Sequence, residues 1–137
     1  MRNRLALRLI LLVLLCVLCW PAQADARERT LIFKNATNRH IQFALLYLDA
    51  DEQWVKAGWF FVTPHGTEEI EDFFGGDKIY MYGTDVNANW DWPSGKGLRQ
   101  TVRDSSFNVS ADVNLGTPKN FLTMNVGNYA KFTWIFK

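Results

Sequence analysis

The segment HIQFALLYL, residues 40–48, carries the strongest structural signal of this chain. Positions 41, 43, 45 and 47 hold Ile, Phe, Leu and Tyr, and the positions between and after them hold Gln, Ala, Leu and Leu. Successive side chains of a β-strand point to opposite faces of its sheet, so this segment is almost entirely apolar on both faces. The pattern therefore predicts a central strand that is covered on each side.

Short strand-like segments, separated by turn residues, continue in both directions from this centre. Gly58 lies inside one of them and predicts a β-bulge or a close approach of two backbones. The acidic segment 67–72 is typical of an edge strand, and Gly127-Asn128 predicts a hairpin between the last two segments. Polar residues 25–29 are expected to fray. The predicted strands are residues 30–34, 40–48, 53–62, 67–72, 78–84, 98–103, 106–114, 120–126 and 129–136.

This spacing predicts the fold class directly. No segment of ten residues keeps a helical period, and strands recur every 8–12 residues with turn signals between them. Such a pattern indicates an all-β protein, here a single antiparallel β-sandwich of about eight or nine strands. No internal repeat and no second domain is indicated.

The first 26 residues predict a secretory signal peptide. Arg2, Arg4 and Arg8 precede an apolar run over residues 9–20, and small residues follow it with the spacing of a cleavage site after Ala24 or Ala26. A run of 12 apolar residues is shorter than the roughly 20 that span a bilayer, so no stable membrane span is expected after cleavage. The prediction is an exported domain over residues 27–137, periplasmic or secreted.

Composition narrows the possible ligands of this domain. Both cysteines of the chain lie within the predicted signal, so packing alone must hold the domain together. Cleavage after Ala26 removes three arginines and Asp25 and leaves 12 basic and 13 acidic residues. The basic residues form no cluster in the sequence. Such a nearly neutral chain is a poor candidate for binding nucleic acid.

The segment 85–97 is the longest one without a strand pattern, and it contains alternating oxygen-bearing side chains. Calcium takes several oxygen ligands, and alternate residues of a curved loop can converge on one ion. Trp90 stands where a calcium loop of the EF-hand type has glycine, and Lys96 where it has a bidentate glutamate. The segment is therefore either an ordinary polar loop or a calcium site. Its candidate ligands are Asp85, Asn87, Asn89 and Asp91.

Aromatic residues predict a second kind of site in the same region. Trp90 and Trp92 flank Asp91, so their rings could stack on sugar faces while polar groups bind the hydroxyls. Tyr80 and Tyr82 of the preceding strand are further candidates for ligand binding. Exposed tryptophans also mark protein interfaces. The alternative is that the loop folds back and its rings cap one end of the sandwich.

A spaced set of aromatic, apolar and turn residues runs through the segment 31–82. It consists of Leu31, Ile32, Asn35, Thr37, Ala44, Tyr47, Trp54, Gly58, Trp59, Pro64, Ile79, Tyr80 and Tyr82. This set resembles the bacterial domain-of-unknown-function family 1036, which consists of small exported β domains. The resemblance implies an exported and non-enzymatic protein, and it supplies no catalytic residues. Members of that family often carry two cysteines, at positions that here hold Lys34 and either Thr67 or Glu68.

The sequence thus predicts an exported binding domain that is not an enzyme, because no catalytic constellation is recognisable in it. The expected partner is a protein or a component of the cell envelope. The alternative is a carbohydrate-binding module that uses the Trp90/Trp92 loop, with calcium as a possible aid. No cofactor is otherwise expected.

Overall fold

The computed structural model describes residues 27–92 and 97–137, and the predicted signal peptide lies outside them. The described residues form strands and turns and contain no helix, so the prediction of an all-β sandwich is confirmed. The strands are β1 (Arg27–Asn35), β2 (Ile41–Leu48), β3 (Trp54–Val62), β4 (Thr67–Gly75), β5 (Lys78–Asp85), β6 (Asp91–Trp92), β7 (Leu98–Val102), β8 (Phe107–Ser110), β9 (Thr117–Asn125) and β10 (Lys131–Phe136).

Two sheets make up the sandwich. The smaller sheet has the order β10-β1-β4, with β4 at one edge as its acidic sequence predicts. The larger sheet has the order β7-β9-β5-β2-β3-β8, and the two-residue strand β6 lies beside β5. Strand β2 pairs with β3 on one side and β5 on the other, which confirms that it is a central strand. All pairs are antiparallel except β1 with β10, which is parallel.

Two apolar clusters cover the two faces of β2. The cluster between the sheets consists of Leu31, Phe33, Ile41, Phe43, Leu45, Val62, Phe73, Ile79, Met81, Met124, Val126 and Phe136. The cluster on the other face lies within the curl of the larger sheet and consists of Ala44, Leu46, Tyr82, Val102, Phe107 and Phe121. The alternation along β2 therefore divides its side chains between two cores.

A bulge in β3 brings two tryptophans to the same face. Phe43 pairs with Phe60 while Ala44 pairs with Gly58, so Trp59 is an extra residue in β3. A β-carbon on Gly58 would lie 3.0 Å from both the Ala44 β-carbon and the Phe107 ring, which confirms the close approach predicted there. With the register reset, Trp59 contacts Tyr82 and Trp54 contacts Tyr80, two tyrosines that share one face of β5.

The predicted hairpin at the C-terminal end is wrong. Strand β9 lies in the larger sheet, whereas β10 pairs with β1 in the smaller one. The turn at Gly127, which has a φ of 51°, carries the chain across the sandwich, and the Gly127 amide donates to the Asp77 carbonyl. Strand β9 pairs with β5 and β7, whereas β10 pairs with β1, so β9 and β10 do not pair with each other.

The expected fraying of residues 25–29 is also wrong within the described part, from residue 27 onward. Strand β1 begins at Arg27, and Arg29 is 2% exposed. The Arg29 guanidinium donates to the carbonyl oxygens of Gly75, Tyr129 and Gly127 at 2.5–3.1 Å. This buried cation therefore links β1 to the end of β4 and to the connection before β10.

Candidate functional site

The candidate site lies where strand β5 changes its neighbour along one edge. Strand β2 occupies the other edge of β5 over residues 80–85. On the edge of β5 that faces away from β2, β9 pairs with residues 78–81 and β6 pairs with Gly83 and Thr84. The remainder of β9 pairs with β7 instead. Strands β6 and β9 therefore diverge at Tyr82, and the sheet opens there.

A cavity of about 660 Å³ fills this opening. This volume is within the range of about 300–1,000 Å³ typical of small-molecule sites. Trp90 is 53% exposed, and Asp91, Arg99 and Lys137 are also exposed, so the cavity is open to solvent. Its lining consists of Tyr82, Asn89, Trp90, Asp91, Trp92, Arg99, Pro118, Lys119, Asn120 and Lys137.

The turn before β6 positions Trp90. The buried Asp85 carboxylate accepts a hydrogen bond from the backbone N–H of Asn89 at 2.7 Å and one from the Arg39 guanidinium at 2.9 Å. The same guanidinium lies over the Trp90 ring, 5.1 Å from its centroid. Asp85 thus acts as the cap of the turn, and Arg39 connects that cap to the ring that lines the cavity.

Trp92 and Asp91 attach the other wall of the cavity to the protein core. The Trp92 ring meets Phe136 edge-on at a centroid distance of 5.4 Å. The Tyr82 hydroxyl donates to the Asp91 carboxylate at 2.8 Å. Burial, and secondarily this hydrogen bond to Asp91, raise the pKa of Tyr82, which keeps its hydroxyl protonated and able to donate.

The structure brings together three of the four aromatic residues predicted to bind a ligand. Trp90, Trp92 and Tyr82 line one cavity, whereas Tyr80 does not and instead contacts Trp54 at 5.9 Å between ring centroids. The alternative in which the loop caps the sandwich describes Trp92, which packs on the core, but not the half-exposed Trp90.

The four predicted calcium ligands are divided between two places. Asp85, Asn87 and Asn89 line a small cavity of about 180 Å³ together with Arg39, and Asp91 lines the larger cavity. Over the described residues there is no group of three or more His, Cys, Asp or Glu side chains that could hold a metal ion. Lys96 lies outside the described residues. Calcium binding stays a prediction from spacing alone.

Three cations of the cavity were not predicted from the sequence. Arg99 comes from β7, Lys119 from β9 and Lys137 follows β10, so they are 18 or more residues apart in the chain. The Lys119 ammonium lies 5.5 Å from the centroid of the Tyr82 ring. No local motif marks these residues. The pairing of β7, β9 and β5 brings Arg99 and Lys119 to the cavity, and the packing of the smaller sheet against the larger one brings Lys137 there.

No family model matches the sequence, and neither a curated protein nor a solved structure matches it. The resemblance to family 1036 therefore stays a prediction. Strand pairing does place Lys34 opposite Thr67, two of the positions at which that family is expected to carry cysteines. In the part of the chain that the structure describes, no helix has the length and apolar character needed to cross a membrane.

Proposed function

We propose that this protein is an exported, non-enzymatic carbohydrate-binding domain and that its ligand occupies the cavity between β6 and β9. The observation that carries the proposal is the lining of this cavity, where Trp90, Trp92 and Tyr82 stand beside charged and amide side chains. Flat rings offer stacking surfaces to the apolar faces of a sugar. The polar groups around them offer partners for its hydroxyls, and a few such groups in an aromatic cleft are typical of ligand sites.

The contacts of the cavity support binding by a preformed site. Trp90 is held by Arg39, Trp92 by Phe136, and Asp91 by the Tyr82 hydroxyl. Side chains that are already ordered lose less conformational entropy when a ligand arrives, so affinity is gained without a change of fold. A concave site of this kind also favours a saccharide over a protein partner, which would need a larger and flatter surface.

Calorimetric titration with soluble cell-envelope glycans tests the proposal. We expect saturable heat with at least one glycan, and a loss of affinity of about tenfold or more in Trp90→Ala, in the range of a binding hot spot. Calorimetry is preferred to tryptophan fluorescence because the substitution removes one of the fluorophores. Adding calcium to a parallel titration shows whether the ion contributes.

Trp54→Ala is the matched control. Trp54 is 43% exposed, close to the exposure of Trp90, and it lies outside the cavity. The Trp54→Ala control should bind the glycan with the affinity of the wild type. Both variants should unfold at a midpoint close to that of the wild type. Unchanged affinity in Trp90→Ala would overturn the assignment of the ligand to this cavity. No heat with any glycan of the panel would overturn the carbohydrate ligand in favour of a protein partner.

A further inference from the structure

A second cavity adjoins the first one and shares two of its residues. It has a volume of about 270 Å³, and Tyr82 and Lys119 belong to both linings. Trp59 lines the second cavity, so aromatic rings occur on both sides of the junction. Its remaining lining residues are Gln42, Thr84, Ala88, Val102, Arg103, Asp104 and Thr117. Tyr82 and Lys119 therefore stand at the junction of the two cavities, which we together call the groove.

Cations outnumber acids along this groove. It contains Arg99, Arg103, Lys119 and Lys137, against Asp91 and Asp104. The whole chain carries 15 basic and 14 acidic residues, so this excess is local. Within the described residues the ion pairs are Arg29 with Asp77 and Arg39 with Asp85, and neither includes a cation of the groove.

Lys119 is the central member of this group. Its side chain is half-buried at the junction, with the ammonium over the Tyr82 ring, and no described carboxylate forms an ion pair with it. The acid nearest to that ring, Asp91, already accepts the Tyr82 hydroxyl. An ammonium with no carboxylate partner can donate charge-assisted hydrogen bonds to an incoming anion.

We propose that the ligand is an acidic oligosaccharide that spans both cavities and places a carboxylate on Lys119. This inference rests on the proposed function, since it specifies the saccharide that the same site would bind. Aromatic rings on both sides of the junction provide stacking surfaces for successive sugar units. Arg99 lines the first cavity and Arg103 the second, so each cavity offers a further cation to a neighbouring carboxylate.

The test compares two tetrasaccharides that share one backbone and differ at C6, cellotetraose and its fully C6-oxidised glucuronate counterpart, by calorimetry on the full exported protein. We expect the acidic tetrasaccharide to bind about tenfold tighter or more, as a charge-assisted hydrogen bond allows. Added salt should reduce that preference because it screens exposed charges. Free glucuronate should bind more weakly than the acidic tetrasaccharide, because it fills one cavity only.

Three variants identify the residues responsible. Lys119→Gln should reduce the affinity for the acidic tetrasaccharide by much more than the affinity for cellotetraose, and so remove most of the preference for the acidic ligand. Arg103→Gln should weaken the binding of the acidic tetrasaccharide by a larger factor than the binding of free glucuronate. Lys34→Gln is the matched control, because it removes the same charge from an exposed position on the smaller sheet, and it should alter neither affinity.

The outcomes separate this inference from the proposed function. Equal affinity for the two tetrasaccharides, unaffected by Lys119→Gln, would overturn the acidic ligand and leave a carbohydrate-binding domain. Equal affinity of free glucuronate and the acidic tetrasaccharide would overturn the spanning of both cavities. Binding of neither tetrasaccharide would overturn this inference, and a panel of glycans without any heat would overturn the proposed function as well.

Discussion

Replacement of Asp85 by Asn tests whether an arginine or a metal ion organises the loop of the candidate site. The carboxylate is buried and accepts hydrogen bonds from Arg39 and from the backbone N–H of Asn89. Asp85→Asn keeps a side-chain oxygen for the backbone N–H of Asn89 and removes the negative charge that faces Arg39. The substitution therefore isolates the electrostatic part of the contact.

The structure sets the expected size of this contribution. The Asp85 side chain is 4% exposed and that of Arg39 is 43% exposed. Exposed ion pairs contribute about 0.2–1 kcal/mol, whereas removal of one partner from a buried pair costs about 3–5 kcal/mol. With one partner buried and the other open to solvent, we expect a coupling free energy of about 1–2 kcal/mol between the two side chains.

The assay is a double-mutant cycle in urea, followed by tryptophan fluorescence, with wild type, Asp85→Asn, Arg39→Gln and the double variant. Loss of the contact between Arg39 and Trp90 occurs on both sides of the cycle and cancels from the coupling. A coupling below about 0.3 kcal/mol, the limit of simple additivity, would refute the ion pair. Stabilisation of the wild type by calcium that Asp85→Asn abolishes would refute it in favour of the metal.

Further predictions concern the cores, the ionisation of Tyr82 and the resemblance to family 1036. Gly58→Val should lower the free energy of unfolding in urea by about 1–3 kcal/mol, because the new valine side chain would overlap Ala44 and Phe107. Phe43→Ala, which empties a fully buried site, should lower it by about 3–5 kcal/mol. The pKa of Tyr82 is raised above its ordinary 10.0, so the unfolded chain releases the phenol proton first. The stability advantage of the wild type over Tyr82→Phe should then shrink as the pH rises past about 10, measured by urea unfolding against pH. Joint replacement of Lys34 and Thr67 by Cys should form a disulfide under oxidising conditions and raise the free energy of unfolding by about 2–4 kcal/mol. Thiol titration and urea unfolding would check the two results. Free thiols under oxidising conditions would contradict the pairing of the two positions.

Most strands could be predicted because their signals are local. The alternation over residues 40–48 and the turn residues between segments correctly indicated a central strand, an acidic edge strand and a bulge at Gly58. The prediction of a hairpin at Gly127 was wrong for a physical reason. A turn signal says that the chain reverses, but which edge the next strand joins depends on distant strands, here β1.

Arg29 shows the same limit for a buried charge. A polar N-terminal segment indicates an exposed end, where the guanidinium of Arg29 would be solvated. Its acceptors lie 46–100 residues away in the chain. A buried cation is stable only when such carbonyl oxygens are supplied, and the sequence alone does not show that they are.

The aromatic half of the candidate site was visible in the sequence, whereas its charged half was not. Trp90, Trp92 and Asp91 are close neighbours in the chain, so their types and spacing alone indicated a binding loop. Lys119 and Arg99 belong to strands whose own patterns indicate nothing beyond β structure. They reach the cavity because β9 leaves β5 to pair with β7.

The local order of residue types was enough to establish an all-β chain, the central place of β2 and the location of an aromatic loop. Those properties depend on side-chain alternation and turn chemistry over a few residues. The partner of each strand, the opening of the sheet at Tyr82 and the excess of cations along the groove depend on contacts between distant residues. Such contacts are selected by the packing of the whole domain, and so the tertiary structure alone specifies the groove and its charge.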